Sequence, residues 1–339
     1  MKCVSISGEK KFVLKDINKP VSKNGSVVIE VKSCGICGSD IHYWVSGNPV
    51  GLVMGHEFAG VVVDPGSRSD LNVGDRVTGL PISPCLECEA CKSGNVQYCA
   101  KTWNEAVGLS LTNTGGYAEY TTCRPDMVRK LPGNVSYDAA CMVEPSAVSL
   151  HAIGLADIKI NERVLIIGGG IIGLMAAEFA KMDGAGYVAM LETNKKRGRK
   201  AVSYGRVDEF YDAADAKSIS KLMEKTNGGF DKVIECCGAS PAVEEAFMCV
   251  KPGGTIVLVG VSLDSVATHN IVAIMKEAKL MGAIAYTEKE FDTVINLISN
   301  KKINVTKYID DFVKLEKAQE SFERLTSGKD AAVKIVFKP

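Results

Sequence analysis

The chain has 339 residues, more than the roughly 250 to 300 at which a single core stops growing, so two domains are expected. Hydrophobic residues make up 46% and charged residues 24%, near the average of a globular protein, which excludes general disorder. Forty basic residues against forty acidic ones leave a formal net charge of zero, so no long-range field draws the chain to nucleic acid or an anionic membrane, and neither is expected as a partner.

Met1 to Asp16 alternates charged and apolar residues and lacks the apolar core of a secretory signal, so a cytoplasmic location is expected. From Lys11 to about Lys130, short β runs are cut by turn residues: Ser26–Lys32, Phe58–Val63, Asp75–Gly79 and Tyr117–Thr122. They predict a mostly β, barrel-like domain. After Pro145 the texture changes to apolar runs alternating with helical stretches: Arg163–Ile167, a helix over Ile171–Met182, Tyr187–Leu191, then Lys232–Glu235 and Thr255–Val259. Strand, helix, strand repetition predicts a parallel α/β sheet. Pro252, Gly253 and Gly254 predict a turn feeding the last of these strands. The uncharged stretch from Val164 to Ala177 holds four glycines and is shorter than the roughly 20 residues of a membrane span. Beyond Gly282 come helical segments at Phe291–Asn300 and Leu315–Thr326 and a terminal β run at Ala332–Phe337.

Twelve cysteines in such a chain suit metal ligands and buried small groups better than a disulfide framework. Cys85, Cys88, Cys91 and Cys99 place four thiols within fifteen residues, bracketed by Pro81, Pro84, Gly94 and Asn95. Four thiolates on one loop satisfy the closed tetrahedral coordination of structural Zn2+. Glu87 and Glu89 lie between these ligands, the wrong sign for a nucleic-acid finger. The other seven, Cys3, Cys34, Cys123, Cys141, Cys236, Cys237 and Cys249, are expected to be buried.

A second cluster is dispersed: Cys37 in CGICGSDIHYW, His56 and Glu57 in GHEFAG, and Glu144 in MVEPSAV. One thiolate, one imidazole and one or two carboxylates can form a catalytic zinc site with an open position. Taken alone, a histidine after a glycine in a β domain is more often a packed core residue than a ligand. The third signal is Gly168-Gly169-Gly170-Ile171-Ile172-Gly173, directly after the strand RVLII and opening a helix. Such a turn lets the backbone approach a pyrophosphate while the helix N-terminus supplies N–H donors. Glu192, at the end of the next strand, favours NAD, because a carboxylate accepts from ribose hydroxyls and repels a 2′-phosphate. Lys195, Lys196, Arg197 and Arg199 pull the other way, unless they form a solvated helix face. Arg197, Val259, Gly260 and Val261 join Gly168, Gly170, Ile172, Gly173 and Glu192 in the expected nucleotide-binding set.

CGICGSD, GHE, the four-cysteine lobe, VEP and GGGIIG occur in the order found in the zinc-dependent medium-chain dehydrogenases, which the chain resembles over essentially its whole length. The resemblance implies a GroES-like β-barrel catalytic domain from residues 1–148 and 286–339, carrying the zinc lobe at 81–100. A Rossmann NAD-binding domain, a doubly wound parallel sheet, would be inserted at 149–285. It implies two zinc ions per chain, NAD as cofactor, a homodimer or homotetramer, and catalytic-zinc ligation by Cys37, His56 and either Glu57 or Glu144.

Within the family, DIHYW is similar to the sorbitol (polyol) dehydrogenases, which implies that Tyr43 and Glu144 touch substrate. MVEPSAVSLHA and GAIAYTEKEF are closer to butanediol dehydrogenases. Two departures stand out: the spacer from Cys37 to His56 is shorter than in most relatives, and Ala285-Tyr286 replaces an Arg-Tyr pair of the animal sorbitol enzymes. The resemblance also implies a proton relay in which Ser39 is the first group and His42 the last. The function expected is hydride transfer from a secondary alcohol, a polyol or vicinal diol, to NAD. L-threonine or a polyol phosphate as substrate, and a non-catalytic zinc- and nucleotide-binding protein, are the alternatives.

For the third ligand, Pro145 stiffens the backbone beside Glu144 and could fix its carboxylate. Glu57 directly follows a ligand, so on a strand it would point to the opposite face. Glu144 is therefore expected in or next to the metal's first shell, with Glu57 the more variable group.

Overall fold

The computed structural model describes residues 1–262, 265–266 and 270–339. In chain order the strands are β1 (Lys2–Gly8), β2 (Lys11–Asp16), β3 (Val27–Gly35), β4 (Glu57–Asp64), β5 (Arg76–Gly79), β6 (Tyr120–Cys123), β7 (Val128–Lys130), β8 (Arg163–Ile167), β9 (Tyr187–Glu192), β10 (Glu209–Asp212), β11 (Phe230–Glu235), β12 (Val250–Leu258), β13 (Lys279–Gly282), β14 (Asp311–Val313) and β15 (Ile335–Phe337).

Two compact units result. The first comprises Met1–Pro145, Tyr286–Ser327 and Lys334–Pro339, and the second Ser146–Ala285 and Gly328–Val333. Their division falls at Pro145, three residues before the expected 148, and Gly328–Val333 groups with the second unit instead of the first.

The first unit is built on a seven-stranded sheet in the order β14-β15-β3-β4-β5-β7, with β6 also paired to β3, plus the hairpin β1-β2. Strand β3 is the pivot. It is buried along most of its length and pairs antiparallel with β4, β6 and β15. Strands from distant parts of the sequence are thereby laid side by side, stabilised by the ladder hydrogen bonds and by burial of Val, Ile and Phe side chains. The terminal β run is shorter than expected, with the ladder restricted to Ile335–Phe337.

The second unit is a six-stranded, all-parallel sheet in the order β10-β9-β8-β11-β12-β13, the arrangement of a doubly wound dinucleotide fold. Its core is Val, Ile, Leu and Phe from the sheet and its helices, with Leu165, Val233, Phe230, Phe247 and Ile256 essentially inaccessible. Strand β12 starts earlier than expected. Gly253, at φ 71°, and Gly254 lie inside its span, where the register to β11 jumps from Phe230↔Val250 to Lys232↔Thr255. The glycines thus accommodate an irregularity within a strand instead of a turn before it.

Among the described residues one helical stretch, Tyr137–Ala156, is long and apolar enough to cross a membrane, where the sequence had suggested none. Within its most apolar window 72% is buried inside the protein, as for a core helix.

Candidate active site and metal centres

The four-cysteine loop is folded by its own turns. A short helix over Glu89–Lys92 and a 3-10 turn over Val96–Tyr98 bring the thiols together. Sulfur–sulfur distances are 3.5 Å for Cys88–Cys91, 3.6 Å for Cys99–Cys85 and 3.9 Å for Cys85–Cys91. A tetrahedron with zinc–sulfur bonds of about 2.3 Å has edges of about 3.8 Å, so the cluster has the dimensions of a zinc cage. Backbone N–H groups of Cys85 and Lys101 donate to the Cys99 sulfur at 3.3 and 3.4 Å and lower its pKa to about 6, while burial pushes Cys91 up to about 12. Four adjacent thiolates are stable only around a cation.

The dispersed cluster is assembled by the β3–β4 ladder. Cys37 follows the end of β3, His56 precedes the start of β4, and Gly35 lies opposite Glu57. Ligand atoms of Cys37, His56 and Glu57 all lie within 4.8 Å of one another. The imidazole Nδ1 faces Asp40 Oδ1 at 3.5 Å, and neither atom has a hydrogen-bond partner among the described residues. Asp40 is inaccessible; its other oxygen accepts from Tyr117 Oη at 2.5 Å and from Cys37 N at 3.1 Å. A carboxylate behind a histidine fixes the ring and leaves Nε2 for a metal. Burial would depress the His56 pKa, but Asp40 and Cys37 raise it well above its ordinary value, marking a site built for positive charge.

Glu57 stands elsewhere than the strand alternation suggested. It is inaccessible, and its two carboxylate oxygens accept from Lys334 Nζ at 2.8 and 2.7 Å. The expectation that Glu57 is the variable group does not match this fixed position. Glu144, near the start of the helix Val143–Ala156, is not in the 4.8 Å set. Burial, helped by the charge of Glu57 and opposed by His56, raises its pKa to about 7. Tyr286 is inaccessible and faces Glu144, and among the described residues its hydroxyl has no hydrogen bond of standard geometry.

Ser39, His42 and Tyr43 share the helix Gly38–Ser46. Ser39 Oγ donates to Cys37 Sγ at 3.3 Å, His42 is exposed and Tyr43 partly so. Spacings of three and four put both on the Ser39 face of the helix.

In the second unit, Gly168 adopts φ 101°, and a Cβ on Gly173 would lie 1.9 Å from the Gly168 carbonyl oxygen, so neither position admits a side chain. Gly170 caps the helix Ile171–Met182, and the Ile172 carbonyl accepts from Ser149 Oγ. Glu192 Oε2 accepts from Gly169 N at 2.6 Å and Oε1 from Asn194 N at 2.7 Å. Of the four basic residues only Arg197 turns inward, with Nη1 3.8 Å from Glu192 Oε2; Lys195, Lys196 and Arg199 are exposed. Val259 and Gly260 donate to the Glu235 carbonyl oxygen, and a Cβ on Gly260 would collide with Gly238 N, while Val261 is half exposed. Two residues here escaped sequence reasoning. Buried Glu235 accepts from Cys237 N and Gly238 N at 2.6 and 2.8 Å. Cys237, expected to be buried, is exposed and packs on Gly168; Cys236 is partly exposed.

Residues 23–133 match the sequence model of the alcohol dehydrogenase GroES-like domain, and residues 172–300 that of zinc-binding dehydrogenases. D-xylulose reductase A of Aspergillus niger is 31% identical over 326 residues, spanning 93% of this chain and 89% of that protein. The chain belongs to the zinc-dependent medium-chain dehydrogenases. Among solved structures, 2R,3R-butanediol dehydrogenase from Bacillus subtilis is 28% identical with a TM-score of 0.87, covering 100% of this chain and 99% of that one. A zinc-binding dehydrogenase from Sinorhizobium meliloti 1021 bound to NADP is 27% identical, also at 0.87, with coverage of 100% and 99%. The dehydrogenase therefore combines a GroES-like unit and a Rossmann unit in one oxidoreductase chain.

Proposed function

We propose that the dehydrogenase oxidises a secondary alcohol with a neighbouring hydroxyl, a polyol or vicinal diol, to the ketone with NAD+ as acceptor. The observation that carries this reading is the set of Cys37, His56 and Glu57, with a second carboxyl, Glu144, facing Tyr286 beside it. The names of the xylulose reductase and butanediol dehydrogenase relatives support the substrate class.

A soft thiolate, an imidazole and a carboxylate suit Zn2+, with Cys85, Cys88, Cys91 and Cys99 holding a second, structural ion. The catalytic ion, when bound, supplies the Lewis acidity that eases loss of the substrate's hydroxyl proton. Asp40, 3.5 Å from His56 Nδ1, favours the ring orientation that leaves Nε2 for the ion. Ser39, beside Cys37, would accept the hydroxyl proton while releasing its own, and exposed His42 on the same helix would pass the released proton to solvent. Glu144 binds a substrate hydroxyl, accepting or donating according to its protonation.

The overall balance is alcohol plus NAD+ giving ketone, NADH and a proton. Glu192, buried at the end of β9 but still partly open to solvent, favours NAD by accepting from ribose hydroxyls, and the Gly168–Gly173 turn holds the pyrophosphate. A screen of NAD+ reduction with sorbitol, xylitol, 2,3-butanediol, threonine and polyol phosphates tests the reading. The highest kcat/KM is expected on an unphosphorylated polyol or diol; turnover confined to threonine or to phosphorylated polyols would replace it.

A homo-oligomer is part of the same proposal. Strand β13 ends the sheet with Leu280 exposed, and the adjacent helix Asn270–Lys276 exposes Ile271, Ile274 and Met275. Such an apolar edge suits pairing with a second copy, and light scattering should give a mass of at least twice the 36.2 kDa chain. All twelve cysteines are free, which supports a reducing, cytoplasmic location.

A further inference from the structure

Lys334 precedes β15 and is completely inaccessible. Its ammonium has three protons and three acceptors: both carboxylate oxygens of Glu57 at 2.8 and 2.7 Å and the Ile36 carbonyl oxygen at 2.7 Å. A buried ammonium with saturated donors is fixed in place, and burying it without Glu57 would be strongly unfavourable. Burial lowers the Lys334 pKa, but Glu57, Cys37 and Cys141 more than offset this, and the group stays charged.

We propose that Lys334 is a positioning residue for the catalytic metal: it fixes the Glu57 carboxylate and draws on its charge, so that Glu57 is presented to the ion as a weakened ligand. This rests on the assignment of that ion to Cys37, His56 and Glu57. Two arguments lead there. A carboxylate oxygen already accepting from an ammonium has less electron density to give a metal. Around a divalent ion, the Cys37 thiolate, Glu57 and Asp40 with the Lys334 ammonium sum to zero when the neighbouring Glu144 carboxyl is protonated; without Lys334 the same set is net negative, which holds the cation more tightly and repels a substrate oxygen that is losing its proton. Lys334 therefore exchanges metal retention for Lewis acidity.

The experiment follows zinc release to a chelator, choosing the equivalent that a Cys37→Ser variant lacks. Wild-type protein should carry two zinc ions per chain; one only would overturn the metal assignment itself. With two present, Lys334→Met should release the followed ion at least tenfold more slowly than wild type and lose kcat, while Lys334→Arg, which keeps the charge, stays within about threefold. Slowing is the informative direction, because a merely structural role for Lys334 predicts a loosened site and faster release. Unchanged or faster release from folded Lys334→Met overturns the proposal. The Glu57→Gln/Lys334→Met pair removes both buried charges and covers the case in which the single variant does not fold. Release within about threefold of wild type supports attenuation of Glu57, and release more than tenfold faster shows Glu57 to be a full ligand that Lys334 does not weaken.

Discussion

Gly35 and Glu57 face each other across the β3–β4 ladder, and a Cβ on Gly35 would lie 2.0 Å from Glu57 Oε2. The glycine is required for space, since its backbone is not left-handed. Gly35→Ala should push the carboxylate off Lys334 or distort β3, at a cost of about 1 to 3 kcal/mol. Thermal denaturation and zinc content are the checks; unchanged stability with full zinc content would mean that Glu57 can occupy another rotamer freely.

The Glu144 pKa of about 7 lies above its ordinary 4.5, so the folded state favours the protonated carboxyl. Such a group adds stability below pH 4.5 that is lost as the pH rises through 7, up to about 3 kcal/mol. In a Cys37→Ser background, where no metal perturbs the site, Glu144→Gln should flatten the fall in stability between pH 5 and 8. Parallel stability curves with and without Glu144 would refute this.

Cys88→Ser should remove one zinc ion per chain, because Cys88 lies 3.5 Å from Cys91 in a cluster with the edge lengths of a zinc tetrahedron. Structural zinc is folding free energy, so the melting temperature should drop as well. Elemental analysis showing both ions retained would mean that the four sulfurs do not hold one.

Glu192 lies on the Gly169 backbone with Arg197 as its cationic neighbour. NAD should be preferred over NADP in kcat/KM. Glu192→Ala should cut that preference by about tenfold or more, the worth of about 1.4 kcal/mol in a charged hydrogen bond. A variant that keeps its preference would show that Arg197 or another group makes the choice.

The signals legible in the sequence are those whose partners are close along the chain. Cys85 to Cys99 span fifteen residues folded by local turns, and the Gly168–Gly173 turn needs only the strand before it and the helix after it. Both follow from short-range geometry, and the alternation of apolar runs specified the parallel sheet around the second. The division of labour between Glu57 and Glu144 was not accessible in this way. Alternation along a strand predicts which face a residue takes, but β4 begins at Glu57, and the carboxylate is held by Lys334, 277 residues away. That contact exists because β3 pairs with β4 on one side and β15 on the other, placing Gly35, Glu57 and Lys334 at one end of the sheet. Sequence thus determined the zinc lobe, the nucleotide turn and the class of chemistry. Tertiary structure decided the order of strands across the sheet, and with it which buried charge meets which, because a lysine near the C-terminus carries no local mark of the carboxylate it will face.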